Sequence, residues 1–531
     1  MHDIILSNGS IVDGSASAGF AGDLAIKDGR ISAIGDLKHE SAKRRIDCHG
    51  LVVAPGFIDC HCHSEISLIV DPSAPSKVYQ GVTTEILGNC GWSTFPLAGA
   101  NAVAFREQAS PIFGHPGVDW DWHDLDGYFD RVFERGAAVN VGTLAGHGAL
   151  RAAVMGLEQR APTPTELASM KNLLHRSMEQ GALGLSSGLC YVPGVYADSA
   201  ELVVLAAIAS SYGGIYATHM RDQVDGLLQS IEESIDVATR AEAPLLISHH
   251  KTCGHRNFGK ARLSLGMLDE ARQHGLTTYS DMYPYLAGST TLSMLFPPWV
   301  LSGGRDAMMA RLASQEDRAR IKHDWANGIP GWENRIAALG WQNISISYLK
   351  HRDRQGYVGM TVADAATQAE QDVCEFVFDL MLSEQCEVGQ IMQNSCEEDL
   401  RQVLTHPHSM IGSDGLDVGD HPHPRQYGTF PKVLGELVRE KGWMTLEEGI
   451  FKMTGATART FKLGEIGLLR EGYRADITVF DPARVQAHAT YENPRQFASG
   501  IQWVFVSGQA TLADGKATGE LTGRAIRRSA A

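Results

Sequence analysis

Eight short apolar runs, each closing on polar, His, Cys or small residues, recur through the middle of the 531-residue chain and limit its fold more than any other feature. They are GFIDCHCH (56–63), TTEILGNC (83–90), AVNVGTLAGH (138–147), LGLSSG (183–188), GIYATH (214–219), APLLISHH (243–250), TTYSDMYP (277–284) and SMIGSDG (409–415). Runs of this length read as buried strands. Helix-period segments, such as TELASMKNLLHRSMEQ and LLQSIEESIDVATRA, lie between most of them. Eight strands alternating with helices predict an α/β fold, a (β/α)8 barrel over residues 56–464. A doubly wound sheet is the rival topology. Two connections, 91–137 and 285–408, are too long for a plain strand-to-helix turn. Long excursions from that end of a barrel cover or shape its active site, so the 285–408 insertion is expected to contribute a lid.

Both ends of the chain read differently. DIILSNGSIVDG, GDLAIKDGRISAIG and RRIDCHGLVVAPG near the start, and GYRADITVFDP and IQWVFVSGQATLADGKATG near the end, alternate apolar and polar positions around Asn-Gly and Asp-Gly turns. Neither end buries enough surface alone. Residues 1–55 and 465–531 are therefore expected to assemble one small β-sandwich domain.

Charge narrows the partners. A formal net charge of −16 disfavours nucleic acid and anionic membranes. The start carries no secretory signal, and no window approaches ~20 uninterrupted apolar residues, so no membrane span is expected. Nine cysteines, an odd number without a framework spacing, fit reduced thiols and a cytoplasmic location. The sequence fixes no oligomeric state.

The chemistry gathers at the ends of the apolar runs. His61 and His63 stand two apart after Pro55-Gly56, which puts both imidazoles on one face of a strand. Cys90, His219, His249 and Asp414 end four other runs. Taken singly, each has an ordinary reading: a packed cysteine, a satisfied core histidine, a helix cap. In a barrel, however, strand C-termini converge on one small area. Six ligand-type side chains meeting there predict a metal site. Imidazole with thiolate suits zinc, and a thiolate disfavours magnesium or calcium. Cys60 and Cys62 alternate with the histidines and read as packing. His421 and His423 read as loop residues, and residues 301–345 as a lid or packing insert. Arg425, eleven residues beyond Asp414, offers a planar fork to a carboxylate. Lys251, two residues after His249, shares its face if the strand continues. Two cations beside a metal fit a small substrate with a free carboxylate.

GFIDCHCH, GNCG, SSGLCYVPG, ATHMRDQ, SHHKTCG, GSDG and HPRQYGTFP together resemble the N-acyl-D-amino-acid deacylases, the D-aminoacylase group of the amidohydrolase superfamily. The resemblance runs over nearly the whole chain. It implies a tightly held zinc on Cys90, His219 and His249, and a weaker second metal position at His61 and His63. It implies Asp414 as general base, and Lys251, Tyr283, Ser289 and Arg425 around the substrate's carboxylate and scissile region. Tyr191 would help polarise the carbonyl. The substrate it implies is a small N-acyl-D-amino acid, cleaved to a carboxylate and a free D-amino acid. The alternatives are a dipeptidase, a deaminase or a hydantoinase- and dihydropyrimidinase-like hydrolase, and a non-catalytic scaffold on the same barrel. The fourth run, LGLSSG, lacks the lysine that bridges two metals in hydantoinase-like relatives. A scaffold should have lost ligands, and here every position is filled.

Overall fold

Each apolar run supplies a barrel strand. The strands are Phe57–Asp59, Val82–Leu87, Asn140–Thr143 continued by Ala145–Gly146, Gly184–Gly188, Ile215–His219, Leu245–Ile247, Thr278–Met282 and Ser409–Ile411. Neighbours pair in parallel, in chain order. The last returns to the first through a bridge between Cys62 and Gly415. There the Asp414 N–H donates to the His61 carbonyl at 2.6 Å, and the His63 N–H donates to the Gly415 carbonyl at 3.0 Å. The architecture is a (β/α)8 barrel. This computed structural model describes residues 1–97, 99–114 and 117–528, so the last three residues of the expected terminal segment lie outside the described residues.

Ile58, Ile86, Ile215, Ala217, Leu246 and Met410 share one buried cluster. Residues of opposite strands can meet only inside the cylinder, so this cluster is the barrel's interior, below the rim where the strands' C-terminal ends converge. Cys60 belongs to it and donates from sulfur to the Ile411 carbonyl at 3.2 Å. The helices Pro164–Glu179, Ser199–Ser211, Leu227–Arg240 and Ala261–Gln273 follow the third to sixth strands. The first of these opens on a capping box, in which Thr163 and Glu166 satisfy each other's backbone N–H groups.

The chain ends meet in a single nine-stranded sheet. Val52–Pro55 pairs antiparallel with Ile477–Phe480, placing Val53 opposite Val479. Leu6, Leu24 and Ile31 from one end pack with Ile477, Trp503 and Phe505 from the other. The 285–408 excursion carries an antiparallel sheet of Ala287–Thr291, Ile344–Leu349 and Val388–Gln393. Helices such as Gln315–Asn327 and Val373–Ser383 belong to the same insertion, with Trp325 stacked on Phe378 at 5.2 Å. Among the described residues no helix is long and apolar enough to cross a membrane.

A buried ion network pins the closing seam. Lys77 lies 2.7 Å from Asp59 and donates to the Ser413 hydroxyl at 3.0 Å, while the Ser413 N–H donates to Asp59 at 2.8 Å. These bonds join the end of the first strand to the residue before Asp414. Removing Lys77 leaves the buried carboxylates of Asp59 and Glu85 without their cation. Lys77→Ala is therefore expected to cost about 3–5 kcal/mol, seen as a lower thermal midpoint in calorimetry. A midpoint equal to wild type would mean the seam does not depend on this ion pair.

Candidate metal centre

The side chains expected to ligate a metal converge above the barrel interior. Three groups of possible donor atoms form there: His61, His63 and Cys90; Cys90, His219 and His249; and His61, His249 and Asp414. Within each group the atoms lie within 4.8 Å of one another, and all these residues are buried. The Cys90 sulfur is 3.3 Å from His61 Nε2 and 3.3 Å from His249 Nε2. It thus stands between the two clusters of nitrogens. Asp414 Oδ1 lies 3.5 Å from His61 Nε2 and 3.4 Å from His63 Nε2.

Three of these residues sit in the left-handed backbone region: Cys90 at φ 56°, His249 at 36° and Asp414 at 49°. Each follows a barrel strand by a few residues, and the turn redirects its side chain toward the axis. Non-glycine residues there carry strain, and such strain clusters at functional sites. Close packing also explains two glycines of the motifs. A Cβ on Gly188 would lie 2.0 Å from the Cys90 carbonyl oxygen, and one on Gly412 would lie 2.7 Å from the His61 Cβ.

The donor set fits a zinc-type cation. Burial holds His219 and His249 well below the usual imidazole range, so both are neutral lone-pair donors. His219 turns Nε2 to the Cys190 sulfur at 3.1 Å, and its Nδ1 is buried with no hydrogen-bond partner. His63 Nδ1 is a second such orphan. Burial pushes the Cys90 thiol up, as it must until a cation neutralises the thiolate. Burial also works against charge on Asp414, but Arg425, His61 and His63 outweigh it and hold the carboxyl well below its usual range.

Several supporting residues are absent from the sequence reading. Asp281, inside the run TTYSDMYP, lies 3.1 Å from His61 Nδ1 and accepts the His249 N–H at 2.9 Å. An outer carboxylate of this kind fixes which ring nitrogen faces the metal. Its signal was present, since it is a carboxylate on a barrel strand. Gln223 contacts His249 Nδ1 at 3.2 Å and accepts from Arg335 at 3.1 Å. Cys190 sits in SSGLCYVPG, where a lone cysteine carries no mark of its contact with His219.

The expected substrate contacts fall into place unequally. Lys251, Ser289 and Tyr191 line the cavity over the metal ligands, together with Trp92, Thr290 and Arg335. Lys251 donates to the Tyr283 hydroxyl at 2.9 Å. The sixth strand stops at Ile247, so Lys251 reaches the cavity through the His249 turn rather than by strand alternation. The Tyr191 hydroxyl is 2.9 Å from Thr290 Oγ1. Arg425 directs its fork inward: Nη1 lies 2.9 Å from Asp414 Oδ2, and Nη2 donates to the Ser289 carbonyl at 3.0 Å. His423 contacts the Ala287 carbonyl through Nε2 and accepts the Arg425 N–H through Nδ1, both at 3.0 Å. It holds the backbone at the start of the helix Arg425–Lys432.

Residues 44–517 match the family model described as Amidohydrolase family. A D-aminoacylase of Alcaligenes xylosoxydans xylosoxydans is 37% identical, with 100% of this chain and 98% of that protein covered. A D-aminoacylase structure described with a binuclear metal centre, one metal activating and the second attenuating, superposes with TM-score 0.83 at 34% identity, covering 99% and 100% of the two chains. The N-acyl-D-glutamate deacylase of Bordetella bronchiseptica was solved with zinc and a phosphonate that mimics the tetrahedral intermediate. It superposes with TM-score 0.83 at 31% identity and 99% coverage of both chains.

Two substitutions test the metal centre directly. Cys90→Ala removes a candidate ligand atom and is expected to leave purified protein without tightly bound zinc. Cys190→Ala removes only the partner of a candidate ligand, His219, and is expected to weaken zinc binding about 10–100-fold, read by competition with a chromophoric chelator. Unchanged affinity in the second variant would detach Cys190 from the site.

Proposed function

The chain belongs to the amidohydrolase family, and on that premise we propose that it is a zinc-dependent hydrolase of N-acyl-D-amino acids, releasing a carboxylate and a free D-amino acid. The observation that carries the reading is one buried cavity. It joins Cys90, His219 and His249 to an ionised carboxylate, Asp414, on one side and to a lysine, Lys251, on the other. The choice of D-amino acid rests on the relatives, each named for such a substrate.

Cys90, His219 and His249 would hold the tight zinc, and His61 with His63 a weaker second ion, with the Cys90 sulfur between the two positions. Bound zinc supplies Lewis acidity at the scissile carbonyl and makes an attacking water more acidic. Asp414, kept ionised by Arg425, accepts the proton from that water and returns it to the amide nitrogen as the amine leaves. Tyr191 turns its hydroxyl toward the carbonyl oxygen. Lys251, with Tyr283 and Ser289, anchors the α-carboxylate, and Arg425 steadies both the base and the Ser289 backbone. Holding the carboxylate and the amide fixes two of the substituents on Cα, so the two enantiomers present different groups to the wall. The fourth strand carries Ser186 and Ser187 in place of a bridging lysine, which supports a linear over a cyclic amide. We assign the protein to the cytoplasm because all nine cysteines are unpaired.

The test is hydrolysis of N-acetyl-D-amino acids beside their L-enantiomers, dihydrouracil and a β-aspartyl dipeptide. Turnover confined to the ring or the dipeptide would exclude the proposal. Asp414→Asn is expected to retain zinc while kcat falls on the order of 10²–10⁴-fold. A rate within a few-fold of wild type would remove Asp414 from the proton transfer.

A further inference from the structure

The cavity's formal charges are nearly all spoken for. Arg335, which reaches it from the insertion, lies with Nε 2.9 Å from Glu333 Oε2, and both side chains are buried. Its Nη2 is also engaged, donating to Gln223 at 3.1 Å, and Glu333 accepts the Gln223 N–H at 2.9 Å. Arg425 is paired with Asp414. Among the described residues that leaves Lys251, hydrogen-bonded to the Tyr283 hydroxyl, as the cavity cation with no carboxylate at ion-pair distance. The rest of the wall includes Trp92, Ile112, Met392 and Leu416. All four are apolar, and they come from two excursions and the loop after the eighth strand.

Resting on the reading above, we infer that this enzyme selects N-acyl-D-amino acids with an uncharged, apolar side chain and discriminates against D-aspartate and D-glutamate derivatives. One unpaired cation matches one carboxylate. The α-carboxylate takes Lys251. A second carboxylate, from an acidic side chain, would be buried against apolar groups and an arginine already neutralised by Glu333, without a partner of its own. An apolar side chain instead gains by leaving water against Trp92, Ile112, Met392 and Leu416. Glu333 is thus a specificity-determining residue that acts through Arg335 and does not itself line the cavity.

The experiment is kcat/KM of the zinc-loaded enzyme on the N-acetyl derivatives of D-leucine, D-methionine, D-phenylalanine, D-aspartate and D-glutamate. The best apolar substrate is expected to exceed both acidic ones by about 100-fold. A ratio of tenfold or more supports the inference and a smaller one overturns it. Inertness toward the whole panel overturns the underlying deacylase reading, and the inference with it. Glu333→Gln frees Arg335, so the apolar-to-acidic ratio should fall at least about fivefold. An unchanged ratio, in a variant with wild-type zinc content and circular dichroism, would overturn the role of Glu333. Should that variant not fold, competitive inhibition of wild type by the products decides: D-leucine must bind at least tenfold more tightly than D-aspartate.

Discussion

A sulfur atom set among imidazoles, out of reach of water, is the constraint around which this protein is organised. A buried thiolate is costly unless a cation sits beside it. The Cys90 sulfur has two ring nitrogens at 3.3 Å: one on His249, which burial keeps neutral, and one on His61, which Asp281 holds above the usual imidazole range against the effect of burial. A metal ion at this point would neutralise the thiolate directly and take the surrounding ring nitrogens as further donors. Holding it requires Cys90, His249 and Asp414 in left-handed backbone conformations. Such conformations cost of order 1–3 kcal/mol each and persist only where the surroundings over-determine them. The closed barrel, with the Lys77 ion network across its seam, supplies that determination.

The barrel and the convergence of the candidate ligands are legible because both rest on local patterns. A buried parallel strand must be a short apolar run, and a ligand must follow it where the strands converge. His61, His63, Cys90, His219, His249 and Asp414 each carried that mark. Asp281 carried it too, but a carboxylate that serves a ligand instead of the metal looks the same in sequence. Glu333, Arg335 and Gln223 carried no mark. Gln223 meets Glu333 and Arg335 from 110 and 112 positions away, through an insertion whose path no periodicity reveals. Lys251 lines the cavity over the candidate ligands, but not by strand alternation: the strand ends four residues earlier and the His249 turn carries it there.

Arg425 shows why a motif gives a residue but not its geometry. The guanidinium fork suits a substrate carboxylate, and a protein carboxylate is an equally good partner. Here Asp414 and the Ser289 carbonyl take the fork, and His423 holds the backbone behind it. The arginine thereby keeps the Asp414 carboxylate ionised despite burial, as the proposed role of Asp414 requires.

The pairing of Val53 with Val479 has a consequence for how the chain is made. Translation runs at about 5–20 residues per second, so the opening strands leave the ribosome on the order of tens of seconds before their partners exist. During that interval the apolar edge of Val52–Pro55 has no mate. A waiting edge of this kind is a template for association with other chains. Until the closing segment is synthesised, the strand can pair only with its early neighbour His2–Ile11, and its other edge waits.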